Sequence, residues 1–415
     1  MPNCCAGKAS ITGCTSSNTN AENPGFSLPN PCLNSRLMKA FGFRSQDSIF
    51  HRRSSIVCLF LCFFVFVSVF SGCSPVYLFQ VAVEEGRILW RRQPIEQLLQ
   101  NGEVSSETGE KLRVVLAVRE YARATLNLRV GGSYASYSYV DRPVLSYVLM
   151  ATPKTDLKPY TWWYLFIGRV PYKGFASEEA AKAEADRFGA EGYDTYIRQA
   201  SAFSTLGWFD DPLLKHLLAY DKVSLADLIF HELLHNTVFV KGAVDFNESF
   251  ANFIGHRAAI AFFQQRRGSN SPEYVEAVEA WDQALEFSRS IAKLAHALNQ
   301  LYAQEIGLEE KLRLRAEMFS RSQEEWGRQT ADRPGHRYRS FSQGKVNNAV
   351  IAHSLLYLSH LDLFELLYAA SGGNLRKCIE LVAQNAGKAQ DPFAAVRSVL
   401  EKYQPGSVTT SARTQ

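Results

Sequence analysis

The chain has 415 residues, with 45 Lys and Arg against 41 Asp and Glu, for a formal net charge of +4. Such a balance argues against a nucleic-acid partner, and 46% hydrophobic residues in a chain of this length can build one large domain or two fused lobes. Of eight cysteines, only Cys378 lies beyond Cys73, which excludes a disulfide framework in the remainder.

Residues 1–53 are rich in Ser, Asn, Pro and Gly, and their lack of a core-forming pattern predicts a disordered extension. His51-Arg52-Arg53 is followed by a short apolar run, Ile56 to Phe70, and then by Ser71-Gly72-Cys73. A basic flank, a short apolar stretch and small residues before a cysteine predict a secretory signal over 54–73, with Cys73 as a lipid-bearing residue. An uncleaved signal anchor is the alternative, and both place the following residues outside the cytoplasm. A start at Met38 would give the signal an ordinary basic beginning, with Lys39, Arg44, Arg52 and Arg53. Residues 74–403 are the expected folded domain, and 404–415 a disordered tail.

Within that domain, helical periodicity covers 77–101 and 106–127, with Pro94 opening a short helix. The Val-, Tyr-, Trp- and Phe-rich stretches 144–152 and 161–170 predict strands. An Ala- and Glu-rich helix over 177–189 and a strand over 193–197 follow, which together suggest a small sheet lobe. From Pro272 the pattern is helical over 273–304, 308–328, 345–370, 374–386 and 391–402, interrupted by a basic loop at 329–343. The expected class is α+β, mostly α, with a small β-sheet lobe and a helical C-terminal lobe. Cys378 reads as an ordinary helix residue.

Between the two lobes stands His231-Glu232-Leu233-Leu234-His235. Two imidazoles four residues apart share one face of a helix, one turn apart, so both can reach one Zn²⁺ while Glu232 addresses a water on that ion. Ser224 is the expected N-cap, and Leu225, Leu228, Ile229 and Leu233 form the apolar stripe of a helix running to about Val240. A third protein donor is required. Gly242 can end the first helix, and Asp245 can cap a short second one that carries Glu248 in its first turn. Glu248 would complete a His₂Glu set with a fourth position open. His256, two turns further on, is the competing donor.

The run Ser204 to Leu214, then HELLH, then Phe246-Asn247-Glu248-Ser249-Phe250-Ala251 resembles the bacterial predicted aminopeptidase family of zincin-like metallopeptidases. The resemblance extends to Gly132-Ser133-Tyr134, Asp141-Arg142-Pro143 and Gly168 to Gly174, and more weakly to Asn347-Asn348-Ala349. It spans about residues 71–400. It implies a lipoprotein metallopeptidase of the gluzincin type in the bacterial cell envelope, facing the periplasm. By the same resemblance His231, His235 and Glu248 match the metal ligands and Glu232 the catalytic acid/base.

Zinc held in this way would polarise a peptide carbonyl and bring the pKa of a bound water towards about 7, and Glu232 would carry the proton to the leaving amine. An oxyanion donor is also needed. Tyr357, which shares a helix face with His353, is the preferred candidate, and Tyr134 and Tyr172 compete with it. Asp210 and Asp211 read as helix caps before Pro212, or else as partners that orient a ligand. Asn247 and Asn252 flank Glu248, and Trp208 reads as core. The activity expected is that of a zinc aminopeptidase acting on peptides. A zinc endopeptidase, a cell-wall amidase and a non-catalytic lipoprotein scaffold are the alternatives.

Overall fold

The computed structural model describes Gly86 and residues 88–139, 146–164, 168–199 and 210–403. The extension, Met38, the signal with Cys73, the Asp141-Arg142-Pro143 motif, Trp208 and the tail after 403 lie outside the described residues.

The chain is α+β and mostly α. Strand β1 (Arg92–Pro94) leads directly into helix α1 (Ile95–Asn101), so Pro94 does precede a helix, while the expected longer helix is interrupted by the strand. Helix α2 (Ser106–Ala124) is capped by Ser105, whose hydroxyl accepts the Thr108 N–H. Strands β2 (Ser136–Ser138) and β8 (Leu213–Leu214) complete a small sheet with β1, in the order β1-β2-β8.

A second sheet packs against the helical part. Its order is β6-β3-β7, all antiparallel, formed by β3 (Tyr147–Pro153), β6 (Lys173–Phe175) and β7 (Tyr193–Gln199). Helix α3 (Glu178–Ala190) covers one face, where Leu149 and Ala151 of β3 pack with Phe175, Ala181 and Phe188. Strand alternation sends Met150 to the other face, against helix α8 (Asn348–Leu358) at Ala352 and Leu356. The stretch expected as one strand over 161–170 is instead two short strands, β4 (Trp162–Tyr164) and β5 (Gly168–Val170), paired with each other.

The helical part begins with α4 (Lys222–His235) and α5 (Val244–Arg267) and continues through α6 (Pro272–Tyr302) and α7 (Leu308–Gln329). Helix α4 is apolar on almost every side, with Leu225, Ala226, Ile229, Phe230, Leu233 and Leu234 buried, as befits a helix inside the core. Helix α5 adds Phe246, Phe250, Phe253, Phe262 and Phe263.

The helix expected over 345–370 is two: α8, and α9 (Leu361–Ala370), divided at His360, whose φ is +57°. The three carbonyls that end α8 are taken by side chains of other helices. Ser249 donates to Leu356, Asn252 to Tyr357 and Ser288 to Leu358. These bonds satisfy groups a helix end leaves orphaned, and they let the chain turn inside the core. Helices α10 (Leu375–Asn385) and α11 (Pro392–Tyr403) close the bundle, with Cys378 buried in α10.

Asp194 of β7 joins sheet and bundle. It accepts two hydrogen bonds from the Arg315 guanidinium of α7, at 2.7 and 3.2 Å, and one from the Asn348 N–H at 3.0 Å. Asn348 also donates to the carbonyls of Pro153 and Asp156, and accepts from the Tyr302 hydroxyl. Both members of the ion pair are shielded from solvent, so removing one strands the other. Asp194→Ala should therefore lower the unfolding free energy by about 3–5 kcal/mol in urea titration. A loss below about 1 kcal/mol would show that the node carries little.

Candidate metal centre

Helix α4 starts one turn earlier than its apolar pattern suggests. Asp221, not Ser224, is the N-cap: its carboxylate accepts the Ser224 N–H at 2.6 Å and the Ser224 hydroxyl at 2.7 Å. The helix ends at His235 instead of continuing to Val240. A loop with Gly242 at φ +83° then turns the chain back. Asn247 pins that loop by exchanging two 2.8 Å hydrogen bonds with the backbone of Val240. Asp245 lies inside the first turn of α5, and its carboxylate accepts the Phe246 N–H. The second helix is not short, since it runs 24 residues, and Glu248 stands just past its first turn.

The structure brings His231, His235 and Glu248 together, each offering a ligand atom, all within 4.8 Å of one another. The two Nε2 atoms are 3.2 Å apart, and Glu248 oxygens lie 3.4 Å from His231 Nε2 and 3.8 Å from His235 Nε2. Donors about 2.0–2.1 Å from a tetrahedral ion stand roughly 3.3 Å from each other, so the triad has the dimensions of a cation site. Two imidazoles and one carboxylate are borderline donors suited to a first-row divalent metal.

Gly255 makes this possible. A Cβ there would stand 2.8 Å from the Asp227 carbonyl oxygen, closer still to the Asp227 carboxylate, and 3.4 Å from His231 Cβ. Only glycine lets α5 approach α4 this closely. The two helices run antiparallel, so advancing along α5 retreats along α4. Glu248 meets His231 and His235, while His256 meets Asp227, its Nδ1 3.2 Å from the carboxylate. His256 is thus a partner of Asp227, stacked at a tilt on Trp281, and stands outside the triad.

Electrostatics follow from burial and the carboxylates. Burial opposes an imidazolium at His231, but Glu248, Glu232 and Asp227 outweigh it and raise the pKa. At His235 burial wins and brings it to about 4. Burial also works against the Glu248 carboxylate, yet the two histidines and Arg198 hold its pKa below the usual range.

Three tyrosines face this centre. Tyr357 stacks on His231, ring centroids 6.4 Å apart, and its hydroxyl accepts a hydrogen bond from Arg198 at 3.0 Å. Tyr134, 3% exposed, and Tyr172 are held above the ordinary phenol pKa by burial and then by the site carboxylates, and so is Tyr357. Tyr134 sits in a tight loop at φ +57°. Arg119 clamps that loop through the carbonyls of Ser133 and Gly131, and Asp210 accepts the Gly132 N–H at 2.6 Å. Asp210 and Asp211 therefore do not cap a helix: Asp210 fixes this loop, the Asp211 carbonyl accepts the Tyr134 N–H, and Pro212 leads into β8. Asn252 ties α5 to the end of α8 beside Tyr357.

Arg198 was not singled out by sequence. Its only cue there is a charged residue in the Tyr- and Ile-bearing stretch that becomes β7, which an exposed strand face explains as readily.

Residues 76–392 match a protein family described as "Putative aminopeptidase". No curated protein and no solved structure matches the chain.

Two outcomes follow from this geometry. Gly255→Ala, which in an open helix would gain about 1 kcal/mol, should instead destabilise the chain and reduce the metal bound after dialysis, measured by elemental analysis. Undiminished metal would show that the helix crossing is not what seats the triad. The second outcome concerns His353, whose pKa is brought down to about 3 by burial and by Arg198. The unfolded chain takes up a proton near pH 6.5 that the folded chain refuses. His353 should therefore cost stability as pH falls from 6.5 towards 3, by about 1.4 kcal/mol per unit. Urea midpoints of the metal-free wild type should fall more steeply over that window than those of His353→Gln.

Proposed function

The chain belongs to the putative aminopeptidase family, and on that premise we propose that it is a zinc-dependent peptidase, tethered at Cys73 to the bacterial cell envelope and facing the periplasm. The single observation that carries the metal-dependent reading is the clustering of His231, His235 and Glu248 with Glu232 on the same helix.

In this reading His231, His235 and Glu248 hold the zinc. When bound, zinc supplies a Lewis acid that polarises the peptide carbonyl and acidifies a water. The remaining work belongs to the chain. Glu232, half-buried and next to the first ligand, takes a proton from the attacking water and returns it to the nitrogen of the leaving amine. Tyr357 keeps its phenolic proton at neutral pH because burial and the site carboxylates oppose its loss. It can therefore donate to the oxygen that gains charge, an interaction worth roughly 3 kcal/mol. Asn247 and Gly255 hold Glu248 against the two imidazoles. The outer edge of β7 pairs with no other strand among the described residues, which suits an extended peptide laid alongside it.

The full chain, loaded with zinc, tests this reading against a mixed peptide library. Wild type and Glu232→Gln should each retain about one zinc, and Glu232→Gln should lose about 10²- to 10⁴-fold in kcat. Equal turnover by the two would reject the mechanism. Zinc undiminished in Glu248→Ala would remove Glu248 from the ligand set. Release of single N-terminal residues is expected of an aminopeptidase, whereas internal cuts would make the protein an endopeptidase.

A further inference from the structure

Arg198 takes no part in that proton chemistry, yet it stands at the centre. On β7 it lies directly opposite Val148, and Tyr196 opposite Met150, so strand alternation places these four on the face turned towards α8. With Tyr172 and His353 they line a narrow crevice. The guanidinium donates to the Tyr357 hydroxyl at 3.0 Å and makes a long 3.4 Å bond to the Gln199 carbonyl. It lies 5.7 Å from the centroid of the Tyr357 ring, and that ring stacks on His231. Among the described residues no carboxylate pairs with it, whereas Arg315, Arg257 and Arg333 each hold one. His353, the other basic side chain of the crevice, stays neutral.

Charge counting gives this arrangement a direction. A divalent ion in the triad would draw on Glu248, the carboxylate that Arg198 otherwise acts on, and leave Arg198 without an ion-pair partner among the described residues. A half-buried guanidinium with spare donors and no direct ion pair among the described residues matches a carboxylate that arrives with the ligand.

We propose that Arg198 is the receptor for a carboxylate of the peptide substrate, within about three residues' length (~3.5 Å each) of the cleaved bond. This rests on the metallopeptidase reading above. The carboxylate is either the C-terminus of a short peptide or an acidic side chain, and the two share the same recognition chemistry. Tyr357 links receptor and centre, since the hydroxyl that accepts from Arg198 belongs to the ring stacked on His231.

The test uses binding, so that it does not depend on turnover. Zinc-loaded full-length Glu232→Gln is titrated with trialanine, trialanine amide, and the amide of Ala-Ala-Glu. Trialanine or the glutamate amide should bind about ten- to hundred-fold more tightly than trialanine amide, and whichever does so identifies the source of the carboxylate. The preference should vanish when Arg198→Gln is added and return in part with Arg198→Lys, with thermal unfolding showing that both are folded. Equal binding of the three peptides, or a preference that survives Arg198→Gln, overturns the proposal. Wild-type hydrolysis separates the two readings. Cleavage without any carboxylate preference removes the receptor and keeps the peptidase, whereas a preference without cleavage keeps the receptor and removes the peptidase.

Discussion

The candidate centre depends on how closely two helices can approach. Glu248 meets His231 and His235 because α5 crosses α4 at Gly255, where even a methyl group would run into the Asp227 backbone. A glycine inside a long helix costs about 1 kcal/mol relative to alanine, and here that cost is outweighed by the contact it permits. The phenylalanines of α5 and the nearly all-apolar surface of α4 then fix the crossing from within the core. The rigid pair is well suited to hold charged donors at fixed separation, because helices packed at core density offer few alternative arrangements.

A second constraint brings the sheet to this pair. Asp194 and Asn348 bind β7, β3, α7 and α8 through a set of buried hydrogen bonds, so the register of β7 against α8 is set by polar contacts as well as by Met150, Ala352 and Leu356. Four residues along β7 from Asp194, on the same face, Arg198 reaches the hydroxyl of Tyr357. The helix that carries Tyr357 stops immediately afterwards, its last carbonyls held by Ser249, Asn252 and Ser288. The same core that positions the triad therefore also positions the tyrosine and the arginine beside it.

Much of this was legible from local pattern. The HExxH spacing needs only helical geometry, and the apolar residues around it guarantee a helix. The strands at 147–153 and 193–199 announced themselves by composition, and α3 by its alanines. Errors gathered at the ends of elements. Ser224 and Asp221 are both good caps, and the choice fell to Asp221, whose carboxylate takes both the amide and the hydroxyl of Ser224. The single helix expected over 345–370 concealed a break, because the interhelical bonds that satisfy the end of α8 come from α5 and α6. The pair Asp211-Pro212 looked like a helix start, but the Asp211 carbonyl is taken by the Tyr134 loop, and a strand follows.

By itself the sequence determined the two imidazoles, the glutamate between them and the presence of a carboxylate on a following helix, because each is fixed by spacing along a few turns. Tertiary structure decided which residue of α5 faces them. Glu248 and His256 lie near the same side of one helix, and only the antiparallel crossing assigns the first to the histidines and the second to Asp227. It also decided that Arg198 and Tyr357, 159 residues apart, meet at the centre. No local periodicity encodes such a meeting, which depends on the register of a strand and the end of a helix being set against each other by the core.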